Sequence, residues 1–491
     1  MTFKPSIYQQ DVFNFIQNGS GNGVIKAVAG SGKTTTIIQS LSLIPTNKRI
    51  LMLAFNKSIA DELKEKVPYH VEVSTFHSCG FAALRNSSRA RIQVKSNKTF
   101  NIIKREIDWE ERKTYGAYVS KLVSLAKGAG MGVLVDDTYE DWMDLIHHHD
   151  LLQFNSNAEL NIDTLIDYAS NILRISNRDR RVIDFDDMLL FTLLYKSQYK
   201  KYDFVFIDEA QDTNGVQRTI LKKLLKPQGR LIAVGDPYQA IYGFRGADSS
   251  AMDMIIDEFG ATTLPLSISY RCAKNIVQEA NEYMPDIKAF ENSPLGSVES
   301  LKGYEPETFS SEDAILCRNT APLIKMAYSF IGRSIPAKVL GRDIGKGLIT
   351  FIKSFKTSSI KELELKMSDW YETQKLKAEE DGNEAKFESL SDKYDSVHIF
   401  IKQTSGDSVV NLIDKIEELF SDDENSGCIS LATIHKSKGL EWNKVFILDR
   451  HRFFPKWAKK DWMKVQENNI VYVAITRAKK NLIYIQSNNW K

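Results

Sequence analysis

AVAGSGKTTT occupies residues 27–36, directly after an apolar run, VIKAV, at 24–28. Gly30 and Gly32 let the backbone curl so that its N–H groups face inward, and a helical pattern follows with its positive end at the loop. Such a cradle suits phosphate. Lys33 then reaches the β/γ-phosphates and the Thr34 hydroxyl holds Mg²⁺, while Ala29, Ser31 and Thr35 complete the loop. The usual spacing has glycine at position 27, where this chain has Ala27. Strand, glycine loop and helix in this order specify a nucleoside-triphosphate site on an α/β fold with parallel strands.

Working outward, ILMLA (50–54), FVFID (204–208) and LIAVGD (231–236) are also apolar runs bounded by turn residues. They read as buried parallel strands. A second set follows in AILCR (314–318), AKVLG (337–341), CISLAT (428–433), KVFILD (444–449) and NLIYI (481–485). Two α/β units are therefore expected. Residues 82–183 and 345–424 lack a strand rhythm and read as helical insertions.

The strand FVFID runs into DEAQD, which places an acid pair at its end. Asp208 suits the metal and Glu209 suits a water that must be oriented and deprotonated. Phosphate loop and acid pair together imply hydrolysis. Gln239, in VGDPYQAIYGFRGA (234–247), follows the end of a neighbouring strand and is placed to sense the γ-phosphate. Tyr242, Phe244 and Arg245 come next, a grouping whose two rings suit either stacking on bases or core packing.

The chain has 491 residues, 43% hydrophobic and 26% charged, with net charge +2. That is ordinary for a soluble protein of two to four domains, and the total charge names no partner. Residues 85–105 carry seven Lys/Arg and no acid, whereas 359–424 is acidic. The first stretch is either a solvated face or a nucleic-acid surface; the second reads as a solvated face. Four dispersed cysteines and no apolar signal core point to a reducing intracellular compartment. It is the cytoplasm, the host-cell interior if the source is viral, or the nucleus if it is eukaryotic. No membrane partner is expected. IHHHDLL (146–152) places its histidines on diverging faces of a helix and reads as polar surface. DFDDML (184–189) reads as a structural helix cap. HRFFPKWAKKDW (451–462) is either a single-strand surface or a packed loop.

With these motifs in order, the chain resembles UvrD/Rep-type superfamily 1A DNA helicases, and within them the F-box DNA helicase branch. SIYQQ resembles the adenine-reading glutamine motif, with Gln9 the first candidate and Gln10 the second. LAFNKSIADEL and STFHS resemble the strand-contacting segments, which implies DNA roles for Phe55, Asn56, Thr75 and His77; Phe55 and Phe76 are either core or stacking residues. LSISYRC implies that Tyr270 stacks on adenine and Arg271 points at the γ-phosphate. TIHKSKGLEW implies Glu441 near the nucleotide and His435 and Lys436 on DNA. NNIVYVAITRAKK implies Arg477 as a second arginine finger.

The resemblance further implies two RecA-like cores: 1A (1–81 and 184–265) and 2A (266–344 and 425–491). They carry a helical 1B (82–183) and a reduced 2B (345–424). It implies ATP and Mg²⁺ as cofactors and 3′–5′ movement on single-stranded DNA and at duplex junctions. The protein would act as a monomer or weak self-associate, with any loading factor unassigned. Fourteen residues after Arg477 leave no room for a fused nuclease. Two other readings stand beside unwinding: an ATP-gated remodeller that strips proteins from DNA, and a small-molecule kinase.

Overall fold

Strand β1, Gly23–Ala27, is paired on both sides by strands that lie some two hundred residues further along the chain. Its register partners are Ile232–Gly235 on one side and Thr262–Leu266 on the other. The computed structural model describes residues 4–88, 91–149, 151, 160–241, 250–305, 308–380, 384–421, 427–454 and 461–487. Contacts divide the chain into two units, Met1–Ser267 and Ile268–Lys491.

In the first unit, β2 (Ile50–Ala54), β3 (Val71–Thr75), β6 (Tyr202–Ile207), β7 (Leu225–Gly235) and β8 (Thr262–Leu266) join β1. All pair in parallel, in the order β3-β2-β6-β7-β1-β8. A short parallel pair, β4 (Gln93–Val94) with β5 (Val182–Ile183), stands apart from this sheet. The side-chain period of two divides each central strand between two cores. Leu51, Leu53, Val205, Leu231 and Ala233 face one core, while Ile50, Met52, Phe206, Ile232 and Val234 face the other. Both faces being covered explains why these strands read as unbroken apolar runs.

The first of these cores also takes Ile103, Val119, Leu122, Leu165 and Ile172, from the helices Lys98–Glu106, Trp109–Ala129 and Ile162–Arg178. The helical region after residue 82 therefore shares its apolar interior with the sheet. A buried ionic cluster fastens it there. Lys98 Nζ lies 2.6 Å from Asp187 Oδ2, and Lys127 Nζ lies 2.7 Å from both Asp184 Oδ2 and Asp187 Oδ1. Asp184 and Asp187 each accept the other's backbone N–H, at 2.9 and 3.1 Å, which starts the helix Asp187–Leu194. DFDDML is thus a helix cap, as expected, but one whose carboxylates are neutralised by two lysines. Burial raises the Asp184 carboxyl, but Lys127 outweighs it and holds the group below its ordinary value.

The second unit contains a seven-stranded parallel sheet in the order β11-β17-β16-β12-β15-β13-β14. These are β11 (Ser297–Ser300), β12 (Ala314–Cys317), β13 (Ala337–Leu340), β14 (Phe420–Ser421), β15 (Ile429–Thr433), β16 (Trp442–Leu448) and β17 (Ala478–Ile485). β9 (Ile268–Ser269) and β10 (Lys288–Ala289) form a separate pair. The region expected to be a helical insertion at 345–424 holds Arg342–Ser354, Ile360–Glu380, Glu384–Gln403 and Val409–Leu419. Its last residues, Phe420 and Ser421, are not helical; they add an edge strand to the sheet. Leu348, Leu363, Phe400 and Ile416 share one core with Ile315, Val339 and Leu431 of the sheet. This acidic stretch is therefore half solvated face and half core.

Removing one partner of the ionic cluster leaves a buried charge uncompensated, which costs roughly 3–5 kcal/mol. Lys127→Met should lower the stability of the first unit by that order in urea melts. A change under about 1 kcal/mol would mean that the cluster is solvated.

Candidate functional site: a phosphate loop and two strand-end surfaces

Three neighbouring parallel strands, β6, β7 and β1, end side by side, and each ends in chemistry. After β1 the chain turns through Gly30 (φ 71°) and Gly32 (φ 77°), conformations open to glycine at no steric cost. The helix Lys33–Leu41 then begins. Ala27 is the last residue of β1, 1% exposed and paired with Leu266, so this position has no need of glycine. The Ser31 hydroxyl is buried without a hydrogen-bond partner, an open donor inside the loop. Thr34 and Thr35 occupy the first turn of the helix, while Thr36 bonds back to the Gly32 carbonyl at 2.9 Å.

After β6, Glu209 adopts left-handed backbone angles (φ 52°, ψ 41°), and its N–H donates to Asp208 Oδ1 at 2.9 Å. Lys33 Nζ lies 3.3 Å from Glu209 Oε1. The Gln211 amide nitrogen donates to Glu209 Oε2, and its oxygen accepts the Asp236 N–H at 3.1 Å. After β7, Gln239 Nε2 donates to Asp236 Oδ2 at 2.7 Å. One polar chain thus runs Lys33–Glu209–Gln211–Asp236–Gln239 across the three strand ends. Gly235 admits it: a Cβ there would meet Gln211 Oε1 at 2.4 Å. Gln211 was given no role on sequence grounds, although it lies within the quoted DEAQD.

Electrostatics fit an anion. Burial works against the Lys33 ammonium, but Glu209, Asp208 and Asp236 outweigh it and raise its pKa above the ordinary lysine value. Burial pushes the Asp236 carboxyl up, opposed by Lys33 and Gln239. The donor set also suits Mg²⁺. One hydroxyl, Thr34, and one carboxylate, Asp208, are what a cation needs when phosphate and water supply its other oxygens. Among the described residues no cluster of three or more His, Cys, Asp or Glu forms a metal cage.

The two glutamines of SIYQQ separate clearly. Gln9 is buried, closes a capping box with Ser6, and donates to Thr36 Oγ1 at 3.0 Å. Gln10 is exposed and donates to the Pro5 carbonyl. Gln9 therefore borders the loop, with both ends of its amide engaged inside the protein.

β2 and β3 also end together, on the far side of β6. The Asn56 side chain accepts from Ile59 N–H at 2.9 Å, and that of Thr75 accepts from Ser78 N–H at 3.2 Å. Both are helix N-caps, a structural duty added to any contact with a strand. Of the two phenylalanines left open, Phe76 is buried in the core and Phe55 is 40% exposed. The His77 ring meets Phe185 edge-on with centroids 6.1 Å apart, and Phe185 is 56% exposed. Burial lowers the His77 pKa and favours its neutral form. Phe185 was missed because its motif read as a cap. Tyr242, Phe244 and Arg245 lie outside the described residues.

In the second unit, Tyr270 is partly exposed against Phe290, with centroids 5.0 Å apart. Arg271 Nε pairs with Glu441 Oε2 at 2.5 Å, and Lys479 pairs with Glu441 Oε1 at 2.6 Å. Burial raises the Glu441 carboxyl, but Lys479 and Arg271 bring it below its ordinary value. Arg477 is 1% exposed, and its guanidinium donates to the Val473 and Leu440 carbonyls at 3.0 Å each. Lys436 is paired with Asp343 at 2.6 Å, so its charge is already offset; His435 stands beside it on the four-residue helix Ile434–Ser437.

Among the described residues no helix is long and apolar enough to cross a membrane. Residues 9–260 match the UvrD/REP helicase N-terminal domain, and residues 346–489 match the UvrD-like helicase C-terminal domain. The chain is 27% identical to F-box DNA helicase protein 1 of Schizosaccharomyces pombe, covering 94% of this chain and 55% of that protein. It is 25% identical to F-box DNA helicase 1 of Gallus gallus, over 94% of this chain and 47% of the relative. Against ATP-dependent DNA helicase PcrA of Leuconostoc citreum it is 27% identical, over 68% and 47% respectively. The chain thus spans about half the length of these relatives. With two parallel α/β units, a phosphate loop wired to a neighbouring acid pair and both family domains matched, the chain belongs to the UvrD/Rep helicase family.

Proposed function

We propose that the chain is an ATP-driven motor on single-stranded DNA that moves 3′–5′ and unwinds duplex at junctions. The observation that carries this reading is the polar chain from Lys33 to Gln239. It links the phosphate loop to the end of β7, immediately before the segment with the expected DNA contacts. A change at the phosphates therefore has a hydrogen-bonded route to a strand-end surface.

The chemistry follows from competition for one ammonium. Phosphate oxygens of ATP draw Lys33 away from Glu209, which leaves that carboxylate free to orient and deprotonate water. Mg²⁺, held by Thr34 and Asp208, would neutralise charge on the phosphates. Gln211 keeps Glu209 in its left-handed pose, and Gln239 reports γ-phosphate loss through Asp236. Arg271 would supply positive charge to the γ-phosphoryl oxygens, exchanging Glu441 for phosphate. Arg477 would join it only by giving up its two carbonyl contacts. Adenine would be read by Gln9 and Tyr270, and DNA by Phe55, His77 and Phe185, with Asn56 and Thr75 at the same edge. The intracellular setting and the weakly associating monomer belong to the same proposal.

Lys33→Ala should cut ATP hydrolysis by about a hundredfold or more in a coupled assay. Gln211→Ala should lower kcat by about tenfold while KM for ATP stays within about twofold, because it acts on Glu209 and not on substrate. A rise in KM alone would remove Gln211 from the mechanism. Single-stranded DNA should stimulate hydrolysis, and a 3′-tailed duplex should be unwound in step with it. Stimulation with protein displacement but no unwinding would favour the remodeller. Absence of stimulation, together with phosphoryl transfer to a small acceptor, would favour the kinase.

A further inference from the structure

The short ladder of β4 and β5 joins two basic segments that lie far apart in sequence. Gln93 N–H donates to the Arg181 carbonyl at 2.7 Å, and Lys95 N–H donates to the Ile183 carbonyl at 2.8 Å. Because the strands are parallel, the residues just before Gln93, with Arg91, lead in on the same side as those just before Val182, the end of NRDRR (177–181). Arg91, Arg178, Arg180 and Arg181 gather at the leading end of the ladder, and all four are exposed. None is ion-paired with an Asp or Glu among the described residues. Asp179, which sits between them, directs its carboxylate at the backbone N–H groups of Arg181 and Val182, at 3.0 and 3.1 Å.

Next to this cluster is a cavity of about 390 Å³ lined by Arg174, Arg178, Arg180, Asn177, Tyr195 and Asp137, among others. The Arg180 Cζ lies 4.0 Å from the centroid of the Tyr195 ring, a cation–π contact that anchors the exposed side chain. Asp137, the carboxylate in the lining, is engaged by Trp142 Nε1 at 2.6 Å and Ser170 Oγ at 3.2 Å. The chain as a whole is nearly neutral, so unneutralised guanidiniums at one spot are not mere surplus charge. Like charges so gathered repel, and a polyanion relieves them. Guanidinium forks suit phosphate oxygens in particular.

We propose that this arginine cluster clamps the phosphate backbone of the single strand that passes His77 and Phe185. The clamp rests on reading the chain as a DNA motor. Arg181 and Phe185 are four residues apart, which an extended chain spans in roughly 14 Å. The clamp therefore lengthens the strand-binding surface by at most a few nucleotides. It makes no contact with base edges and adds no sequence preference.

The test is the salt dependence of DNA affinity for the parent and for Arg178→Gln/Arg180→Gln/Arg181→Gln, on single strand and on blunt duplex. On single strand the slope of log K against log salt should fall by about 2, from about 0.7 per lost phosphate contact. The matching triple Arg→Lys variant keeps the charge and should keep the slope, and an unchanged thermal unfolding midpoint shows that the fold is intact. An unchanged slope on single strand overturns the clamp, as does a loss confined to duplex. If the parent binds no DNA at all, the motor reading itself has failed.

Discussion

Parallel pairing of β6, β7 and β1 is the constraint on which the nucleotide site depends. Adjacent strands lie ~4.8 Å apart, so three loops are brought within about 10 Å of one another. Lys33, Asp208, Glu209, Gln211, Asp236 and Gln239 must then share one small volume. Three carboxylates so close are tolerable because a single ammonium sits among them. Glu209 carries a second cost. A left-handed backbone at a non-glycine residue is strained by about 1–2 kcal/mol, and Gln211 and Lys33 hold its side chain in place. Strain of this kind collects where a side chain must be aimed.

Covering both faces of the first sheet is a second constraint with wide effects. It demands apolar surface on the insertion helices, so the insertion is part of the core and not an appendage. The same holds in the second unit, where helices of an acidic segment bury Leu363, Phe400 and Ile416 against sheet residues. An insertion that shares a core with the sheet is mechanically joined to it, since packed interiors yield little.

Much of this was legible in the sequence. Central strands announced themselves as unbroken apolar runs, because burial on both faces leaves no polar position. Edge strands did not: β3 (VEVST), β8 (TTLPL) and β11 (SVES) keep polar residues on exposed positions and gave no signal. The phosphate loop and acid pair were plain because their chemistry fixes both residue type and spacing. Partners distant in sequence were not. Lys98 and Asp187 are 89 positions apart, and neither hints at the other. A residue's type also fails to reveal its neighbours, as Arg477 shows: nothing in TRAKK hints that its guanidinium bonds the Val473 and Leu440 carbonyls.

The distant pairing of β1 bears on how the chain is made. Both partners of this central strand lie about 200 residues downstream, and at 5–20 residues per second a ribosome needs roughly 10–40 s to deliver them. For that interval the backbone edges of Gly23–Ala27 lack both of their ladder partners, although Ile25 and Ala27 can already pack on Val12, Ile16, Ile37 and Leu41. Synthesis therefore leaves a central strand unpaired for tens of seconds, and unpaired strand edges are where partly made chains associate.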